Sequence, residues 1–455
     1  MKTFRLALNK FARIGVCGLV LSIHTSSFAE DLQQIYQLAI KNDPVFRAQQ
    51  ASLQAELEVR NQANAQLFLP NVSVSANLDR NYQDITSAFG GGDSQFTGKG
   101  YSLNLSQPIY HHDRYIHLKQ VNLQVAKAQL EVGAAEQELM LRTARQYFSV
   151  LAAQDSLQFS KAEELALKRQ LEESSQRFDV GLIAITDVHE AQAGFDLATA
   201  KELQAQNALE DAVESLREIT GQYPQTLATL SDNLTQTSPE PNNIEAWAQA
   251  ALKNNLQLKA KLVETEIIEK EISRQTSGHY PTVDLVGNHG YRSTGGQFGN
   301  TDADFSKIGV EINIPLYSGG QVSSKSREAL HRHLVALENL EQARRSTERQ
   351  CREAFRGILS GLSQIKAFKQ AVISSETAVI ATRTGYEVGT RTATDVVAAE
   401  QEFFRAQRDY SQAKYEYILD TLSLKQVSGT LLPADIQKIN SSLNLKTQHS
   451  IHNAN

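Results

Sequence analysis

The chain contains itself twice, about 208 residues apart, and this duplication limits the possible folds more than any other feature. Leu216 and Gly221 recur as Leu424 and Gly429. Phe178-Asp179-Val180-Gly181 recurs as Tyr386-Glu387-Val388-Gly389, and Thr186-Asp187-Val188 as Thr394-Asp395-Val396. Pro108-Ile109-Tyr110 matches Pro315-Leu316-Tyr317, and Lys41-Asn42 matches Lys253-Asn254, with small shifts in offset. Such a period is too long for a solenoid repeat. Each unit has the same predicted order: a helix, two strands, one very long helix and a second helix. The first unit spans 30–230 and the second 244–432; a Pro-containing linker (231–243) joins them, and a polar, poorly ordered tail (433–455) follows.

The first 29 residues read as a secretory signal peptide. Lys2, Arg5, Lys10 and Arg13 precede a short apolar run, Ile14 to Ile23, and Phe28-Ala29 offers a small-residue cleavage site before Glu30. The run falls short of the roughly 18 apolar residues a membrane-spanning helix needs. Cleavage removes four positive charges and no negative ones, taking the net charge from −6 to −10. An acidic exported chain lacks the basic footprint of a nucleic-acid-binding protein. Only Cys351 remains, so no intrachain disulfide is available. The mature chain has no apolar stretch long enough to span a bilayer, so any entry into a membrane must use strands.

Four segments alternate cleanly, at about 71–83, 97–108, 281–292 and 305–315. Val72, Val74, Ala76 and Leu78 oppose Ser73, Ser75, Asn77 and Asp79; Tyr101, Leu103 and Leu105 oppose Ser102, Asn104 and Ser106. In the second unit Val283, Leu285 and Gly287 oppose Thr282, Asp284 and Asn288, while Ile308, Val310, Ile312 and Ile314 oppose Gly309, Glu311 and Asn313. Period-two alternation puts one face on an apolar phase and the other on water. A half-buried sheet on a soluble core is one reading. Asp79, Asp284, Arg292 and Glu311 on the polar faces favour a transmembrane barrel with a wet lumen, and tyrosines near the strand ends (Tyr82, Tyr101, Tyr110, Tyr280, Tyr291, Tyr317) suit interfacial girdles. Four strands cannot close a barrel, so the chain must oligomerise.

Pro108 and Pro315 stand where strand pattern gives way to helix pattern. From about His112 to Phe178, and from about Gln321 to Tyr386, there is no Pro and little Gly. Each run amounts to roughly 100 Å of helix at 1.5 Å per residue. The apolar spacing is heptad-like in places (Leu118, Val121, Val125, Ala128, Val132, Ala135, Leu139), with many small residues, which implies long coiled-coil contacts. The remaining faces are polar throughout, as in the wall of a hollow tube wet inside and out. Both runs end at Val-Gly, a helix-stop signal, and Asp187 and Glu190 have capping-box spacing at the restart.

Through Arg177 to Val188, Gly385 to Thr392 and Pro315 to Gly320, the chain resembles the TolC family of outer-membrane efflux ducts, from about Asp31 to Leu431. The resemblance implies a homotrimer whose twelve strands make one outer-membrane barrel, continued by a helical tunnel across the periplasm. It implies passive export of drugs, toxic compounds or proteins, with a periplasmic adaptor and an inner-membrane pump as partners. It places a gate latch at Thr186 and Asp187 against Tyr386 and Arg391, and a carboxylate ring for cations at Asp395. Ala398 stands where relatives carry a second carboxylate, so a weaker cation filter is expected. The turns at Gly181-Leu182 and Gly389-Thr390 are the implied adaptor-docking tips.

No catalytic arrangement, cofactor site or metal site is expected. Gly98-Lys99 has the wrong spacing for a phosphate loop, and His189-Glu190 lacks the second His of a zinc-protease helix. His111-His112-Asp113 with His117 reads as a solvated strand-to-helix junction. The competing readings are a periplasmic adaptor, which gives no reason for four lipid-patterned strands, and an exported enzyme, for which no site is found.

Overall fold

The computed structural model describes residues 29–86, 91–231, 236–296 and 299–444. The expected signal peptide up to residue 28, the end of the expected tail (445–455), and parts of the Gly-containing loops that join each strand pair, among them Gly90 and Gln297, lie outside the described residues.

Each unit opens on two helices where the sequence suggested one. In the first, α1 (Leu32–Asn42) stops at Asp43 and α2 (Pro44–Phe68) begins at once. Pro44 has no N–H to give, and the Asp43 carboxylate accepts the Phe46 amide at 2.6 Å, so one residue ends a helix and caps the next. Strands β1 (Asn71–Ile85) and β2 (Gly92–Tyr110) follow, then α3 (His112–Asp179) and α4 (Ile185–Thr220). A short strand β3 (Thr229–Leu230) leads into the second unit.

That unit repeats the plan: α5 (Ile244–Asn254), α6 (Leu256–Thr276), β4 (Thr282–Thr294), β5 (Thr301–Asn313), α7 (Gln321–Glu387) and α8 (Ala393–Val427). Asn255 does the work of Asp43 here, its side-chain oxygen accepting the Leu258 amide at 2.8 Å. The two long helices, α3 and α7, have 68 and 67 residues, or about 100 Å each. The strands overrun their predicted loop-side ends by a few residues, because those positions keep pairing past the point where alternation fades, while β5 stops at Asn313, two residues short of its predicted helix-side end.

The four long strands form one antiparallel sheet in the order β1-β2-β4-β5. Its register keeps the two faces apart: Val74 pairs with Leu103, Leu105 with Gly287, and Gly287 with Ile308 on the apolar face. On the other face Ser75 bonds Ser102 at 2.9 Å, Asn104 bonds Ser102 at 3.2 Å, and Asn288 bonds Asn104. From Tyr280 below β4 to Tyr291 near its top the chain advances about 37 Å, or about 28 Å of height at a ~40° tilt. An apolar band about 25 Å tall fits between them. The outer edges of β1 and β5 are unpaired among the described residues.

The core lies half-way along the tube. Tyr36 of α1, Leu139, Tyr147 and Phe148 of α3, Leu216 of α4 and Ile358 of α7 are all buried there. A belt closes over it: α9 (Pro433–Asn440) buries Ile436, and β6 (Leu443–Asn444) pairs with β3. The polar tail expected from residue 433 is therefore ordered through 444. Its apolar residues, Ile436, Ile439 and Leu443, fall at the helical spacing i, i+3, i+7, but three of them among polar neighbours make too short a run to stand out. Towards the α3–α4 and α7–α8 turns the packing relies on small residues instead: Ala191, Gly194 and Ala198 let α4 approach its neighbours, and a Cβ at Gly194 would stand 3.0 Å from Val397.

Candidate functional site

The α3–α4 and α7–α8 turns are built alike. Gly181 and Gly389 adopt φ of 77° and 78°, a left-handed conformation that a side chain would strain. Their amides return to Phe178 and Tyr386 carbonyls at 2.8 and 3.1 Å, and the next amides, of Leu182 and Thr390, reach Arg177 and Gly385 carbonyls at 2.9 and 2.8 Å. Both helix ends are thereby closed. Nothing lies within 4 Å of where either glycine's Cβ would be. Backbone conformation, and not crowding, calls for Gly. Val180, Leu182 and Val388 stand at least 70 % exposed, apolar tips left uncovered by the described residues.

Thr186 and Asp187 occupy the first turn of α4, Tyr386 and Arg391 the α7–α8 turn. The expected Asp187–Glu190 capping box is not formed. Ala184 is the N-cap and has no side-chain acceptor to offer, while Glu190 instead takes the Thr394 hydroxyl on α8. The Asp187 carboxylate and the Arg391 guanidinium form no hydrogen bond or ion pair among the described residues. Tyr386 is buried and already engaged. Its hydroxyl lies 3.2 Å from Ser174 Oγ, and the Arg177 guanidinium sits 4.5 Å above its ring while donating to its carbonyl at 3.3 Å. Within one chain the structure does not bring the four latch residues together.

Asp395 is the counterpart of Asp187 in the second unit, but its helix is capped differently. Thr392 is the N-cap, and the Asp395 carboxylate accepts the Thr392 amide at 2.9 Å while the Asp395 amide meets the Thr392 hydroxyl at 3.2 Å. The Thr392 amide first, then its hydroxyl and the nearby Arg391 charge, hold the Asp395 carboxyl below the usual range. It remains an anion. Ala398, three residues on, is exposed.

The packing of α8 against the rest of the tube shows residues that the sequence did not single out. Asp155 of α3 accepts the Tyr415 hydroxyl at 2.8 Å and the Ser411 hydroxyl. Glu163 of α3, fully buried, accepts Lys201 of α4 at 2.9 Å and Arg408 of α8 at 3.1 Å. Nearer the tip, Arg383 of α7 donates to Oε1 of Glu400 on α8 at 2.9 Å. Oε2 of Glu400 is buried without a hydrogen bond, and burial pushes this carboxyl up despite Arg383. Between apolar contacts such as Val397 on Leu167 and Ala198, the seam of α8 thus carries a series of buried carboxylates with hydroxyl and cationic partners. Its members lie up to 260 residues apart in sequence, so no local spacing could have marked them.

At the other end of the tube His111 Nε2 stands 3.0 Å from both carboxylate oxygens of Asp284, tying the start of α3 to β4, and His112 meets the Tyr280 ring edge-on at 5.0 Å. The His run is a junction here, and no group of three metal-ligating side chains occurs among the described residues. Cys351 is buried within α7, and burial raises its thiol to about 11. No described helix is long and apolar enough to cross a membrane.

Known proteins match this arrangement along nearly its whole length. The family described as outer membrane efflux protein matches residues 35–222 and 247–430, one match to each structural unit. The chain is 36% identical over 444 residues to the outer membrane protein TolC of Vibrio cholerae, covering 96% of this chain and 99% of that one. It is 27% identical over 429 residues to the alkaline protease secretion protein AprF of Pseudomonas aeruginosa, covering 93% and 89%. The crystal structure of the Campylobacter jejuni CmeC outer membrane channel superposes with a TM-score of 0.75 at 16% identity, covering 96% of this chain and 98% of that one.

Proposed function

This chain belongs to the outer membrane efflux protein family, and from that premise we propose how its parts conduct and close. It is an outer-membrane channel for efflux and secretion, reaching into the periplasm and working with adaptor and pump partners. Its family is one of transport channels, not enzymes. The observation that carries the mechanism is the sheet: four strands, apolar on one face and hydrogen-bonded polar on the other, with both edges open.

Three copies joined edge to edge, β5 of one against β1 of the next, satisfy every open edge and give a wall of twelve strands around water. The long helices continue that wall as a tunnel. At its far end Arg391 and Asp187, unengaged in the single chain, are free to pair across the boundary between copies, with Thr186 beside them. Such charge-assisted links exchange readily when an adaptor offers competing partners. Tyr386 braces the turn from behind through Ser174 and Arg177. The Asp395 carboxylates make one ring of negative charge, which attracts cations and repels anions. The exposed apolar tips around Gly181-Leu182 and Gly389-Thr390 receive the adaptor.

Reconstitution in a planar bilayer tests this reading. Small stable conductance steps from heat-resistant trimers are expected, rising when Arg391 is replaced. A monomer that needs no detergent and conducts nothing would overturn it.

A further inference from the structure

Glu400 of α8 is 1 % exposed, and its Oε2 has no hydrogen-bond donor among the described residues. Its helix puts it there. Val397, one turn earlier, packs against Leu167 of α3 and Ala198 of α4, so the same face of α8 carries Glu400 into the seam between the α7–α8 and α3–α4 hairpins. Anything that parts the two hairpins near the tip must therefore let water reach this carboxyl.

The charges around it leave Oε2 unserved. Arg383 of α7 donates to Oε1 at 2.9 Å, and half of its side chain lies in solvent. Glu163 of α3 acts on Glu400 as a like charge. Lys201 of α4 and Arg408 of α8 are the other cations of this seam, and each is spent on one oxygen of Glu163. Burial raises the Glu400 carboxyl above its ordinary value near 4.5; Arg383 offsets part of that, and the Glu163 charge adds to it. A buried carboxylate oxygen without a donor is costly, and the neutral acid is free of that cost.

We infer that Glu400 couples closure of the tip to proton uptake. The closed seam takes a proton on Oε2. Dilation draws the α7–α8 hairpin away from α3 and α4, wets the carboxyl and returns the proton to water. Closure is thus favoured as pH falls, and opening as pH rises from about 4.5 through the raised value of the closed state. This rests on the gated duct proposed above.

The test follows single-channel conductance of the Arg391→Gln trimer, whose loosened latch lets the tip dilate. Between about pH 7.5 and about pH 4.5 the conductance should fall about twofold. Glu400→Gln in the same background keeps the side-chain shape without the charge, and should show the low, acid-like conductance at every pH. Arg383→Gln removes the offsetting cation and should move the midpoint to higher pH. Asp395→Asn should leave the dependence in place, since that carboxyl titrates below the usual range. Infrared titration of the same samples reads the acid directly, as a protonated-carboxyl band that is missing from Glu400→Gln. Conductance that ignores pH, or follows it equally in Glu400→Gln, overturns the coupling even where the band titrates. A titrating band with no conductance at any pH sinks the duct and the coupling together. A pH response that needs Glu400, in Arg391→Gln channels no wider than the parent, sustains the coupling and counts against the latch alone.

Discussion

Arg408 of α8 reaches Glu163 of α3 at 3.1 Å, and because Lys201 of α4 takes the other oxygen, one fully buried carboxylate joins three long helices. Removing the anion would leave two partly exposed cations close together with no counter-charge between them. Glu163→Ala should therefore cost about 2–3 kcal/mol, less than for a wholly buried pair because solvent reaches both cations, read as a lower unfolding temperature of the purified protein. A Glu163→Ala/Arg408→Ala pair should lose less than the sum of its parts.

The latch predicts a shared phenotype. Asp187→Asn and Arg391→Gln should each raise single-channel conductance, and the double variant should add little to either. Tyr386→Phe, which loses only the Ser174 hydrogen bond, should cost about 1 kcal/mol of stability and change conductance less. Independent, additive effects of Asp187 and Arg391 would show that they do not pair.

Ring charge and helix cap are separable at Asp395. Asp395→Ala should reduce cation selectivity, measured as a shift in reversal potential under a salt gradient. Thr392→Ala removes the cap but leaves the carboxylate, so it should weaken the helix start and keep the selectivity. If both variants shift the potential equally, the ring is not the filter.

Acid stability should depend on Glu271. Burial works against its charge, but Arg274 at 2.7 Å on both oxygens, Gln275 and Gln120 outweigh that and hold it down at about 2. A carboxyl held down in the folded state stabilises fully above its ordinary value near 4.5 and loses that contribution as pH falls towards 2. Arg274→Gln should raise the midpoint of acid unfolding within that window. The effect is about 1 kcal/mol, since solvent screens this half-exposed pair.

Cys351 should resist alkylation in the folded protein at pH 8 and react only after unfolding, because its thiol is buried and held near 11. Rapid labelling of native protein would show that α7 opens there.

Much of this fold is legible in the sequence because it is written in long periodic signals. The alternation of Val72 to Leu78 and the Pro-free run after His112 are each longer than a turn or loop could disguise. Two departures are local caps, and the others depend on contacts between distant residues. Asp43-Pro44 breaks the first helix through a single cap, and α9 is held by burial of Ile436 more than by any pattern of its own. The Asp187–Glu190 spacing looked like a capping box, yet Ala184 starts that helix and Glu190 turns to Thr394. The Glu163 and Glu400 pairings carry no local mark at all, since a buried Glu reads like an exposed one until its partners are known.

The seam along α8 bears on how such a tube can widen. The hydroxyls on Asp155 and the Lys and Arg heads on Glu163 and Glu400 are groups that water wets at once when they part, while Val397 on Leu167 and Ala198 adds a small apolar contact between the same helices. A duct sealed in this mixed way can open at its polar points and still be drawn shut by the apolar ones.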